Sequence, residues 1–137
     1  MTLLQTLPRS ASTSAMHRTA ADAMVAAGPQ VWDDMTVEVA LSVMTAARTG
    51  HLVVCDQDGR YTDLVTRARL TAVRNGSAYT DRVRLRDIAD VDGPFTSPLT
   101  TVAEAEHAMR HRRLAALPVV DEEGNTLGVL ATGQWSE

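Results

Sequence analysis

The sequence contains no lysine, a single cysteine and few aromatic residues, and it has no long uninterrupted apolar run. With Cys55 alone, neither a disulfide framework nor a cysteine-based zinc cluster can be built. Its place in the run Leu52-Val53-Val54-Cys55 reads as a buried thiol in a reducing cytoplasm. A bilayer-crossing helix needs about 20 consecutive apolar residues, so membrane insertion is not expected. Every basic residue is arginine, which we read as a mark of GC-rich coding sequence rather than of function. No Ser/His/Asp series, paired carboxylates, metal motif or phosphate loop falls in a recognisable setting, so an enzyme is not expected.

The formal net charge of −4 argues against a dedicated nucleic-acid binder. Residues 60–86 depart from it: Arg60, Arg67, Arg69, Arg74, Arg82, Arg84 and Arg86 stand against only Asp63 and Asp81. This reads as solvated helix and linker surface, with a phosphate-contacting face as the alternative.

What the chain does have is an internal repeat. Residues 22–70 overlay 87–135 without a gap, matching Asp22/Asp87, Gly28/Gly93, Pro29/Pro94, Thr36/Thr101, Met44/Met109, Arg48/Arg113, Leu52/Leu117, Val54/Val119, Asp56/Asp121 and Gly59/Gly124. The most telling stretch is LPVVDEEGNTLGVL, residues 117–130, with LVVCDQDGRYTDLV at 52–65 as its earlier copy. Two short apolar runs around an acidic turn ending in Gly predict a β-hairpin, the acids suiting a type I turn and the Gly a positive φ. An EF-hand fails because the Gly is misplaced and no bidentate Glu follows.

Residues 1–18 read as a mobile N-terminal tail without a convincing secretory signal, and Met16 is an alternative start to Met1. Thr19 or Asp22 opens a short helix over Ala20–Ala27, stopped by Gly28-Pro29, and a strand follows near Gln30–Trp32. A Thr-capped helix over 37–48 carries Val37, Ala40, Leu41 and Met44 on one stripe. Val39, Val43 and Ala46 make a second apolar side that needs cover, and we expect a homodimer through them. The equivalent helix, 102–113, carries Glu104, His107 and His111 on its far side, read as a solvated or interface-lining face rather than a metal site. Thr66 caps a helix from Arg67 to Arg74, ended by Asn75-Gly76. The expected units are a first repeat at 19–76, a linker at 77–84 and a second repeat at 85–137.

Each copy thus reads strand, helix, strand, strand, helix. On the residues LPVVDEEGNTLGVL, the chain resembles the CBS domain family, named after cystathionine β-synthase. The resemblance spans residues 19–135; the first copy lacks both the Pro (Val53) and the second Gly (Asp63) of the motif. It implies an α+β fold of tandem β-α-β-β-α repeats packed sheet against sheet with pseudo-two-fold symmetry, the second repeat truncated at its last helix. Two clefts follow, as does frequent pairing of such modules.

The resemblance further implies a non-catalytic regulatory or sensor module whose clefts bind adenosine-containing ligands such as AMP, ADP, ATP or S-adenosylmethionine and which signals to a protein partner. A ligand-free dimeric interaction scaffold is the alternative. In the family, a strand ending Gly-apolar-apolar-Ser/Thr-x-x-Asp supplies a hydroxyl to phosphate or ribose and a carboxylate to the ribose hydroxyls. Here Thr66 matches the hydroxyl but Arg69 stands at the Asp position; the second copy has Ala131 and Gln134, with Thr132 the nearest hydroxyl. The implied contacts are Thr66, Arg67 and Arg69, suited to an anion, with Thr132 and Gln134, and with Leu117, Pro118 and Val119 sandwiching the base.

Overall fold

The computed structural model describes residues 18–88 and 93–131. Residues 1–17 of the expected tail, the alternative start at Met16, Thr132, Gln134 and the truncated final helix lie outside the described residues. The elements in order are α1 (Ala20–Ala23), β1 (Gln30–Trp32), α2 (Val37–Ala47), β2 (His51–Cys55), β3 (Tyr61–Thr66), α3 (Arg67–Arg74), α4 (Leu85–Ile88), α5 (Val102–Arg112), β4 (Ala116–Val120) and β5 (Thr126–Ala131). β1 runs parallel to β2, which pairs antiparallel with β3; β4 and β5 form the second sheet.

The 65-residue offset read from the sequence, 87 − 22, recurs in the backbone. His51 faces Thr66 across the first hairpin, and their equivalents Ala116 and Ala131 face each other across the second. Both turns close alike. The Asp56 carboxylate accepts from the Asp58 and Arg60 amides at 2.9 and 3.0 Å, and Asp121 accepts from Glu123 and Asn125, each at 2.9 Å. Gly59 and Gly124 then take φ of 80° and 90°, a conformation closed to most side chains. Amide donation from Asn125, the largest cause, holds the Asp121 carboxyl below its usual range.

Threonine hydroxyls cap the three long helices: Thr36 accepts from the Val39 amide, Thr66 from Arg69 and Thr101 from Glu104, each at 3.2 Å. At the other end Arg48 and Arg113, equivalent residues, both enter the left-handed region, with φ of 56° and 58°.

The helix read over Ala20–Ala27 ends sooner, at Ala23. Residues beyond it are recruited by the other repeat: the Val25 amide donates to the Val129 carbonyl at 2.9 Å and Val129 returns the bond at 3.0 Å. A ladder to a distant strand satisfies the backbone that four more helical residues would have satisfied locally, and tertiary pairing decides.

The two repeats exchange their first helices. Ala20 and Ala23 of α1 lie in the core of the second repeat with Val102, Ala105, Met109, Leu117, Val119 and Leu130. Leu85 of α4 lies in the core of the first, with Val37, Met44, Leu52, Val54 and Leu70 among others. The backbone bonds that seat these helices come in reciprocal pairs. Ala20 donates to the Thr100 carbonyl at 2.7 Å and Leu85 to Met35 at 2.8 Å; Val102 donates to Arg18 at 2.8 Å and Val37 to Val83 at 2.9 Å. Adding 65 to each residue of one bond, or subtracting it, gives its counterpart. Such i-to-j, j-to-i reciprocity is the signature of a two-fold relation, here within one chain.

A third, smaller core joins the repeats: Ala27, Val53, Cys55 and Val129 are buried together between the two sheets. Burial, foremost, then Asp56 and Asp33, push the Cys55 thiol above its usual pKa. No helix among the described residues is long and apolar enough to cross a membrane.

Candidate functional site

A cleft of about 570 Å³ opens where the hairpins of the two repeats meet. Gly50, His51 and Thr66 line it from one side and Ala115, Ala116 and Ala131 from the other. These are the same three positions of each repeat, so the cleft straddles the pseudo-dyad. Leu64, Asp63 and Arg69 complete the first wall; Pro94, Arg113 and Leu114 complete the second.

Thr66 reaches the cleft because it is both the last residue of β3 and the cap of α3. Its oxygen accepts from the Arg69 amide, and a hydroxyl that accepts in this way keeps its hydrogen to donate to an anion at the helix start. Arg69, one turn into α3, also lines the cleft, but its guanidinium already has two partners. Nη1 donates to Asp63 Oδ2 at 2.9 Å, and Nη2 donates to the Ile88 carbonyl of α4. The Asp63 side chain is 2% exposed against 36% for Arg69. Asp63 Oδ1 accepts the Leu64 amide at 2.8 Å. Buried carboxylates persist when paired and hydrogen-bonded in this way.

Room for that carboxylate comes from Gly93. A Cβ there would stand 2.6 Å from Asp63 Oδ1 and 2.8 Å from the Thr62 carbonyl oxygen. In the second repeat the position of Asp63 belongs to Gly128, and there the backbone of Val25 closes in instead, 2.6 Å from where a Cβ would be. One repeat fills the space with a charge, the other with a single backbone bridge.

The remaining sequence candidates are dispersed. Arg67 turns away from the cleft into a groove between α2 and α3, where it donates to Thr45 Oγ1 at 3.5 Å and to the Thr49 carbonyl at 3.4 Å. Two residues apart on a helix start, Arg67 and Arg69 cannot share a face. Leu117, Pro118 and Val119 are buried in β4, with Ala115 and Ala116 before them at the cleft wall. Val43 packs in part against the first core, whereas Val39, 49% exposed, and Ala46 face outward.

The sequence marks Arg113 and Pro94 only as repeat matches and gives no sign that they, or His51, line the cleft. Asp63 had a signal, an acid inside the apolar strand YTDLVT at the place of a motif glycine. His107 and His111 stack on α5 with ring centroids 6.2 Å apart. Among the described residues no group of three or more His, Cys, Asp or Glu is placed to hold a metal ion.

Comparison with known proteins matches the CBS domain family to residues 20–76 and 85–132. A curated relative, the homoserine O-acetyltransferase of Methanohalophilus mahii, is 29% identical over 88% of this chain, which spans 24% of that enzyme's length. Among solved structures, CBSX2 in complex with AMP superposes with a TM-score of 0.75 at 21% identity, over 85% of this chain and 91% of that one. The cytosolic domain of the Mg2+ channel MgtE in complex with ATP gives a TM-score of 0.75 at 24% identity, over 93% of this chain and 53% of that one.

Proposed function

The chain belongs to the CBS domain family, and from that premise we propose that it is a non-catalytic regulatory module of the cytoplasm that takes an adenosine-containing nucleotide or a similar anion in the inter-repeat cleft. AMP, ADP, ATP and S-adenosylmethionine are the candidate ligands. The observation that carries the reading is the cleft itself: it crosses the pseudo-dyad, and it collects the Thr66 hydroxyl at a helix start with Arg69 and Arg113. Ala131 lines its other wall, with Thr132 and Gln134 next in the sequence, and the strand of Leu117, Pro118 and Val119 carries Ala116 into it. Arg67 is a contact of the α2–α3 groove in this reading. A ligand touching both repeats favours one relative arrangement of them, and a protein partner reads the difference.

Binding to the folded state alone raises the melting temperature, by the equivalent of about 2.7 kcal/mol at one hundred times Kd. At millimolar concentration we therefore expect AMP, ATP or S-adenosylmethionine to raise the melting point by several degrees. Thr66→Ala and Arg113→Ala should shrink that rise, each measured against its own ligand-free melting point. A flat panel would favour the second reading, a ligand-free dimeric scaffold. The commitment of both ends of the Arg69 guanidinium within the protein supports that alternative.

We also infer a homodimer through the outward side of α2, where Val39 and Ala46 are exposed and Val43 lies beneath them. Sedimentation at micromolar concentration should give a dimer, and Val39→Asp a monomer. A wild-type monomer would remove this interface.

A further inference from the structure

Trp32, the last residue of β1, is 64% exposed and stands between two hollows. One, of about 430 Å³, is lined by Val31, Met35 and Val39 with Asp34, and Val39 also belongs to the proposed dimer face. The other, of about 350 Å³, is lined by Asp33, Asp34 and Arg86. Neither Asp33 nor Asp34 is in an ion pair among the described residues. Asp33 and Asp34 outnumber Arg86 in the lining of that second hollow. Asp33 is close enough to Cys55 to help push its thiol up, after burial and Asp56.

An indole held in water beside an apolar hollow is the usual anchor of a protein interface. Its ring face also attracts a guanidinium, more strongly with carboxylates alongside. We propose that this face docks a partner protein through an arginine-bearing apolar segment: an aliphatic side chain fills the hollow over Val31 and Met35, while an arginine lies on the Trp32 ring and pairs with Asp33 and Asp34. The inference rests on the regulatory reading, since it supplies the chemistry of the partner that reads the module. Arg86 sets a limit on the occupant, because a second cation beyond the acidic pair meets repulsion.

The test uses the full chain with Trp135→Phe, so that Trp32 is the only indole. The probes are a short synthetic peptide with one arginine flanked by leucines and its counterpart with glutamate for that arginine. The arginine peptide should blue-shift Trp32 emission saturably, more tightly at low salt, and the glutamate peptide should not. Asp33→Asn and Asp34→Asn should each weaken binding by about two- to fivefold. The absence of a saturable response, or an equal response to both peptides, overturns the proposal. So does a changed sedimentation of Trp32→Ala, which would assign the face to a second copy of the chain. Neither readout involves nucleotide, so failure here is separable from failure of the cleft reading in the melting panel.

Discussion

Replacing Arg69 with methionine should destabilise the protein by about 2–3 kcal/mol, somewhat under the ~3–5 kcal/mol seen when a fully buried pair loses one member. The discount reflects Arg69 itself, whose side chain is 36% exposed. What the substitution leaves behind is the cost: Asp63, 2% exposed at its side chain, would lose its guanidinium counter-charge at a place that water cannot reach. The Ile88 carbonyl would lose its guanidinium partner as well. Asp63→Ala should cost less, because the guanidinium it strands can turn to solvent. The double variant Asp63→Ala/Arg69→Met should then be more stable than Arg69→Met alone. Chemical denaturation of the four proteins, read as midpoints at constant slope, measures the coupling. Simple additivity would mean that the pair does not hold the cleft wall as described.

A second large effect is expected at Gly128. Its need for glycine is not conformational, since it has no positive φ; it is one of space. A Cβ would lie 2.6 Å from the Val25 carbonyl oxygen and 2.8 Å from Met24 Sδ. The methionine can swing aside, but Val25 is fixed by two backbone bonds to Val129. Gly128→Val must therefore push residues 24–25 off β5 and draw α1 out of the second core, where Ala20 is fully buried. We expect a loss of about 3 kcal/mol or more. Amide hydrogen exchange should show the loss of protection concentrated at residues 20–25. Protection unchanged there would contradict the packing.

What the sequence discloses follows from how local the cause is. The hairpins were legible because their turns close on their own side chains: Asp56 and Asp121 accept from amides two and four residues on, and a glycine takes the positive φ. The threonine caps are local in the same sense. The helix exchange was not legible, because a four-residue segment, AADA, carries no mark of which core will receive it. Nothing near Val25 announces its pairing with Val129, so the helix read over 20–27 was too long.

At the cleft, Thr66 was found from the motif, and Arg69 from its departure from the motif. The partner that occupies Arg69 was visible only as an oddity, the acid of YTDLVT, since its pairing depends on how β3 meets α3 and α4. Arg67 illustrates a different limit. Helical geometry separates it from Arg69, but only the packing of α2 against α3 shows the groove into which it turns.

The exchange of α1 and α4 bears on whether one repeat could stand alone. A single repeat, alone, would present a core with its lid missing and a helix with nowhere to lie. Its natural remedy is an identical neighbour that makes the same trade, which the reciprocal bonds of Ala20 and Leu85 still describe. Joining the two halves in one chain fixes their ratio at one to one and makes each core depend on the presence of the other. Within that shared frame the copies are not interchangeable, one having a glycine at residue 128 and the other a carboxylate at residue 63.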